Sequence, residues 1–172
     1  LEVCMDGVQR LMQAGATSVK IEGAAHQADM ISHIVEAGVP VMGHIGLTPQ
    51  SIHNLGGHKV QGKAEADARK VIDDAKRLEQ AGCFAIVLEC VPNKLGDCVT
   101  RAVDVPTIGI GAGPLTDGQV LVLHDLIGAD PSFSPKFLRR YANVHDLVEG
   151  AVGGYHNDVV TRDFPALSET YG

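Results

Sequence analysis

Residues Gly82 to Pro92, GCFAIVLECVP, decide how this chain is read. An unbroken apolar run, Cys83 to Leu88, leads into a single carboxylate, Glu89, and the whole is bracketed by glycine and proline. Such a run is the signature of a strand buried on both faces, the kind found in parallel sheets. Ending it in a carboxylate is costly unless the strand's carbonyl end opens into a polar site. That is where α/β folds keep their functional groups. Taken alone, Glu89 is equally well an acid solvated at a strand end.

The same unit recurs, which changes the balance. Helix, Ala-Gly, apolar strand and polar residue appear in QAGATSVKIE ending at Glu22, in EAGVPVMGH ending at His44, and in QAGCFAIVLE ending at Glu89. Gly15, Gly38 and Gly82 each stand where a helix needs a left-handed residue just past its end. A fourth run, VPTIGIGAG, and a fifth, QVLVLHD, continue the series to His124-Asp125. The repetition predicts that Lys20, Glu22, His44, Glu89 and Asp125 sit at equivalent strand ends and share one site.

With 172 residues the chain is long enough for one sizeable domain. Its net charge of −7 and scattered Lys and Arg offer no basic stripe for phosphates, so no nucleic-acid partner is expected. No apolar run approaches the roughly 18–20 residues of a membrane span. Cys4, Cys83, Cys90 and Cys98 form no CxxC pair and are expected as reduced thiols of a cytoplasmic protein.

In chain order, Val8, Leu11 and Met12 give the opening helix its apolar face. The first strand is predicted at Thr17 to Ile21. Residues two apart in a strand share a face, so Lys20 and Glu22 either neutralise each other or serve one site. A helix over His26 to Ala37 and a strand over Val39 to Gly43, running into His44, follow. The Gly-rich segment from His44 to Lys63 is long for a βα loop, and Thr48-Pro49 suggests a short helix within it. His53 and His58 have a spacing that puts them on different helix faces; they are expected as surface histidines. Ala64 to Ala81 has a clear apolar stripe, with Glu65/Arg69 and Asp73/Arg77 as pairs on its polar side. A helix over Pro92 to Ala102 and a strand over Val105 to Ile110 come next. GIGAG, Gly109 to Gly113, fails as a dinucleotide fingerprint because Pro114 occupies the third glycine position and a turn follows. The fifth strand is predicted at Gln119 to Leu123. Lys136 to Tyr141, KFLRRY, is basic and amphipathic, and a tail from Val144 to Ser168 could form one helix weakened by Gly153-Gly154.

Successive βα units with no change of composition predict a parallel α/β fold. Polar groups at every strand end favour a (β/α)₈ TIM barrel over an open sheet, whose site gathers at one switch point. Residues 1–172 are then a single barrel domain holding roughly the last five βα units plus a tail helix, with about three units expected before Leu1.

KIEG at Lys20 to Gly23, GHIGLTPQS at Gly43 to Ser51, GGHKVQGK at Gly56 to Lys63, VLECVP at Val87 to Pro92 and TIGIGAGPLTDGQVLVLHD at Thr107 to Asp125 closely resemble the ketopantoate hydroxymethyltransferases. The resemblance runs through nearly the whole chain. It implies a (β/α)₈ barrel, a Mg²⁺-dependent aldol-type transfer from 5,10-methylenetetrahydrofolate to 3-methyl-2-oxobutanoate, and a homo-oligomer, a decamer. By the same resemblance Glu89 matches the general base, Glu22 a metal ligand, Lys20 a group that binds the keto acid, and His44 a substrate-binding histidine that orients or hydrogen-bonds beside the substrate. The family's further acidic ligands and an Asp-Ser pair belong to the first barrel strands and have no counterpart in this sequence. Two other readings stay open: a Mg²⁺-dependent lyase like isocitrate lyase or phosphoenolpyruvate mutase, and an inactive structural fragment. Release of tetrahydrofolate would separate the transferase from both.

Overall fold

The computed structural model describes residues 2–51, 57 and 59–172, and the expected surface histidines His53 and His58 lie outside these. The chain packs as two compact units, Leu1–Val120 and Leu121–Gly172.

The first unit alternates helix and strand: α1 (Glu2–Gln13), β1 (Val19–Glu22), α2 (Ala28–Glu36), β2 (Val41–Gly46), α3 (Glu65–Gln80), β3 (Ala85–Glu89), α4 (Asn93–Thr100), β4 (Thr107–Ile110) and β5 (Gly118–Gln119). The five strands form one parallel sheet in the order β1-β2-β3-β4-β5. Each helix returns the chain to the next strand position, so the order never reverses as it does in a doubly wound sheet.

The two faces of the sheet differ sharply. Val19, Val41, Ile45, Ile86 and Leu88 lie on one face and merge with Val8, Ile31, Ile34, Val71, Ala75, Leu78, Leu95 and Val99 from α1 to α4 in one apolar core. All four helices therefore cover a single face, which is the singly wound arrangement of a barrel wall. Ile31, Ile34, Leu78, Ile86 and Val99 are fully buried, each stabilising the unit by roughly 1.5–3 kcal/mol of apolar transfer. The opposite face carries the even positions of β1 and β2 and the odd positions of β3, among them Lys20, Glu22, Met42, His44, Val87 and Glu89.

Helix ends follow the sequence closely. Gly15, Gly38 and Gly82 have φ of +100°, +89° and +90°, the left-handed conformation their places after helices demand. The starts of β2 and β4 shift later than predicted, for one reason. Val39 N–H is spent on the Ile34 carbonyl at the end of α2 and Pro40 has no N–H, so pairing begins at Val41. In the same way Val105 N–H donates to Glu79 and Pro106 cannot donate, so β4 begins at Thr107. On α3, Arg77 pairs with the buried Asp74 at 3.6 Å, not with Asp73, and Lys70 donates to Asp74 at 2.7 Å.

In the second unit the predicted strand Gln119 to Leu123 is not continued. β5 stops at Gln119, and Leu123–Leu126 is a helical turn, α5. Short apolar runs such as VLVL suit either state, and here the polar His124-Asp125 pair ends up on a helix. Asp125 is therefore on a helical turn and not at a strand end. Lys136 to Tyr141 is not helical; Arg140 instead donates to the carbonyls of Asp130, Pro131 and Phe133. α6 (Val144–Thr161) runs unbroken through Gly153-Gly154 and buries none of its residues.

Candidate active site

Four of the residues singled out by sequence meet on the face opposite α1 to α4. Register explains why: Glu22 is paired with His44 across β1 and β2, and Gly46 with Glu89 across β2 and β3. Side chains of register partners in a parallel sheet point to the same side, so Lys20, Glu22, His44 and Glu89 rise together at its C-terminal end. His44 lies inside β2 rather than beyond it, because Ile45 and Gly46 pair on with Leu88 and Glu89.

The imidazole is the hub. His44 is only 1% exposed. Its Nδ1 lies 3.3 Å from Lys20 Nζ and 3.8 Å from Glu22 Oε1, while Nε2 lies 3.1 Å from Glu89 Oε2. That last contact is off the axis of the ring N–H, so Nε2 is close to a carboxylate without a formed hydrogen bond. Lys20 Nζ is also 3.9 Å from Glu22 Oε1. With the lysine side chain half exposed, such a pair is worth at most about 1 kcal/mol, so its role is orientation more than stability. Glu22 Oε2 accepts the N–H of Gln50 at 3.0 Å, from the short 3₁₀ turn Pro49–Ser51 that follows β2. The Thr48-Pro49 signal foretold that turn, but nothing in the sequence marked Gln50 as a partner of Glu22.

Glu89 stands on a pinned backbone. Its carbonyl accepts Leu47 N–H at 2.9 Å, Cys90 N–H donates to the Ile110 carbonyl at 2.8 Å, and the Cys90 carbonyl accepts Gln61 N–H at 2.8 Å. Cys90 has φ of +49°, an uncommon conformation for a non-glycine residue and one that clusters at functional sites. Burial, and secondarily the Glu89 charge, push its thiol above the ordinary range.

As a cation site, this cluster offers Glu22 as a hard oxygen donor, the kind Mg²⁺ prefers, with Glu89 as the other carboxylate. Mg²⁺ often takes only one or two carboxylates and completes its shell with water and substrate oxygens. Glu22 thus fits one corner of such a site but does not enclose an ion. Among the described residues the one group of three close ligand side chains is His145, Asp146 and Glu149 on the surface of α6, away from this chemistry in the sequence.

A family model described as ketopantoate hydroxymethyltransferase matches residues 2–167. The 3-methyl-2-oxobutanoate hydroxymethyltransferase of Coxiella burnetii (strain Dugway 5J108-111) is 52% identical over 97% of this chain, and that of Legionella pneumophila (strain Philadelphia 1) is 54% identical over the same share. The chain spans 63% and 64% of the lengths of those two relatives. Among solved structures, the YdjI aldolase from Escherichia coli K12 superposes with a TM-score of 0.45 at 16% identity, over 73% of this chain and 52% of that one, too loosely to carry an argument. The match of the family model across almost every residue places the chain in the ketopantoate hydroxymethyltransferase family.

Proposed function

We propose that the protein transfers a hydroxymethyl group from 5,10-methylenetetrahydrofolate to 3-methyl-2-oxobutanoate, giving 2-dehydropantoate and tetrahydrofolate in pantothenate synthesis. The observation that carries this reading is the convergence of Lys20, Glu22, His44 and Glu89 on one face of the sheet, in a chain of this family.

Glu89 takes the proton from C3 of the keto acid. Its carboxylate projects from the end of β3 and is 18% exposed, which leaves it open to substrate on one side. The Lys20 ammonium faces the negative oxygens of the keto acid, its carboxylate or the oxygen on which enolate charge develops. Glu22 would hold Mg²⁺, which when bound would polarise the keto group next to C3 and so make that proton acidic. The new bond joins C3 to the one-carbon unit. One water supplies the hydroxyl group, both carbon–nitrogen bonds of the donor break, and protons from C3 and from water end on its nitrogens. A homo-oligomer, a decamer by family resemblance, working in the cytoplasm without nucleic-acid or membrane partners belongs to the same reading. No helix among the described residues is long and apolar enough to cross a membrane.

The test is exchange of the C3 proton of 3-methyl-2-oxobutanoate with deuterated water, followed by NMR in the presence of Mg²⁺ and without folate. Glu89→Gln should slow exchange by about 10²–10⁴-fold, the usual worth of a positioned base, while keto acid binding survives. Exchange at the wild-type rate in that variant would remove Glu89 from the role.

A further inference from the structure

The contacts of His44 are asymmetric, and the asymmetry decides which ring nitrogen carries hydrogen. An ammonium group has donors and no acceptor, so the Nδ1 atom facing Lys20 Nζ at 3.3 Å must present its lone pair. A hydrogen on Nδ1 would find no acceptor, because Glu22 Oε1 is 3.8 Å away and out of hydrogen-bond range. It would also leave the Nε2 lone pair against the Glu89 carboxylate oxygen at 3.1 Å, a repulsive contact at a ring that is itself only 1% exposed. Hydrogen on Nε2 turns the contact with Glu89 from repulsive to attractive and leaves the Nδ1 lone pair free to accept from Lys20.

The geometry points to His44 as the positioning residue of the base: Lys20 fixes the Nε2–H form of the imidazole, and Nε2–H holds Glu89 Oε2 so that the other carboxylate oxygen faces C3 of the substrate. This rests on Glu89 being the base, and it differs from a role for His44 in binding the keto acid. The surroundings fit the task. Glu89's backbone is clamped on both sides by Leu47 and Ile110, leaving its side-chain torsions as the remaining freedom. His44 is itself locked in the ladder between β1 and β3 and is shielded from solvent, so it loses no further entropy in holding them. The contact is short but misaligned without substrate, and hydrogen bonds at catalytic groups commonly tighten only once substrate is bound.

The experiment pairs two isosteric replacements with a direct look at the ring. A glutamine amide can place N–H where Nε2 stands, and an asparagine amide where Nδ1 stands. His44→Gln should keep C3 exchange within about tenfold of wild type, whereas His44→Asn should lose about 100-fold with keto acid binding retained, since a misplaced base costs that much. Equal rates in the two variants, or a better rate for His44→Asn, would overturn the proposal. Nitrogen NMR of ¹⁵N-histidine-labelled wild-type protein reports the tautomer independently of activity and of any variant's folding. A hydrogen on Nε2 is expected, and one on Nδ1 would overturn the assignment. The base assignment fails separately, through normal exchange in Glu89→Gln, and leaves the tautomer result unchanged.

Discussion

Gly46 and Glu89 are register partners across β2 and β3, and their backbones touch so closely that a Cβ on residue 46 would lie 2.2 Å from the Glu89 carbonyl oxygen. Gly46 also has φ of +91°, in the left-handed region where a side chain is strained. The absent side chain is what allows Leu47 N–H to reach the Glu89 carbonyl and fix the mount of the carboxylate.

Gly46→Ala should therefore damage the site more than the fold. The clash is with backbone and cannot be relieved by a rotamer change, so the end of β3 must move. Strain of this kind costs about 1–3 kcal/mol. Deuterium exchange at C3 should fall by about 100-fold, because a base displaced by an ångström loses that much. Circular dichroism and thermal melting would report the fold and exchange the site; a variant with unchanged exchange would show that the close contact does not position Glu89.

On the opposite face of the same strand, Gly43 leaves room for Leu78 of α3. A Cβ on Gly43 would lie 2.6 Å from Leu78 Cδ1, and Leu78 is fully buried. Leu78→Ala should cost about 2–5 kcal/mol through lost transfer energy and a cavity. Gly43→Ala alone should destabilise by overpacking, typically about 1–3 kcal/mol. The double variant should be more stable than the sum of the two by about 1 kcal/mol, since the added methyl occupies part of the vacated space. Urea denaturation of the four proteins measures the coupling, and strict additivity would place the two residues out of contact.

Alkaline pH should weaken the protein through a thiol. Burial pushes Cys83 from 9.0 up to about 11. The unfolded chain then gives up this proton first, so the stabilisation is complete below pH 9.0 and disappears as pH rises toward 11. The full loss is on the order of 2–3 kcal/mol for such a shift. Cys90, raised by burial and then by Glu89, contributes in the same direction. Chemical denaturation at pH about 8 and about 10.5 should show a smaller drop for Cys83→Ala than for wild type. An equal drop in both would assign the alkaline weakening to other groups.

The sequence by itself determined the alternation of helices and strands, the glycine at each helix end and the parallel nature of the sheet. Those are local properties: a buried parallel strand has to be continuously apolar, and a helix that turns back sharply needs a residue free to adopt positive φ. That Lys20, Glu22, His44 and Glu89 stand near strand ends was legible too, since a charged or histidine side chain beside each apolar run stands out. The helical place of Asp125 was not, because VLVLHD reads the same for a strand as for the turn of α5 that forms. The edges of β2 and β4 were also hidden, as they depend on which N–H groups the neighbouring helix ends had already claimed.

Only the tertiary structure decided what these residues do to one another. Register set Glu22 beside His44 and Gly46 beside Glu89, and a slip of one residue would have sent each side chain to the helix-covered face. The hydrogen-bond partner of Glu22 at Gln50, the left-handed Cys90 and the burial of Asp74 arise from segments distant in sequence. No local pattern encodes such contacts, because their geometry comes from how the strands are staggered and which helix packs over them.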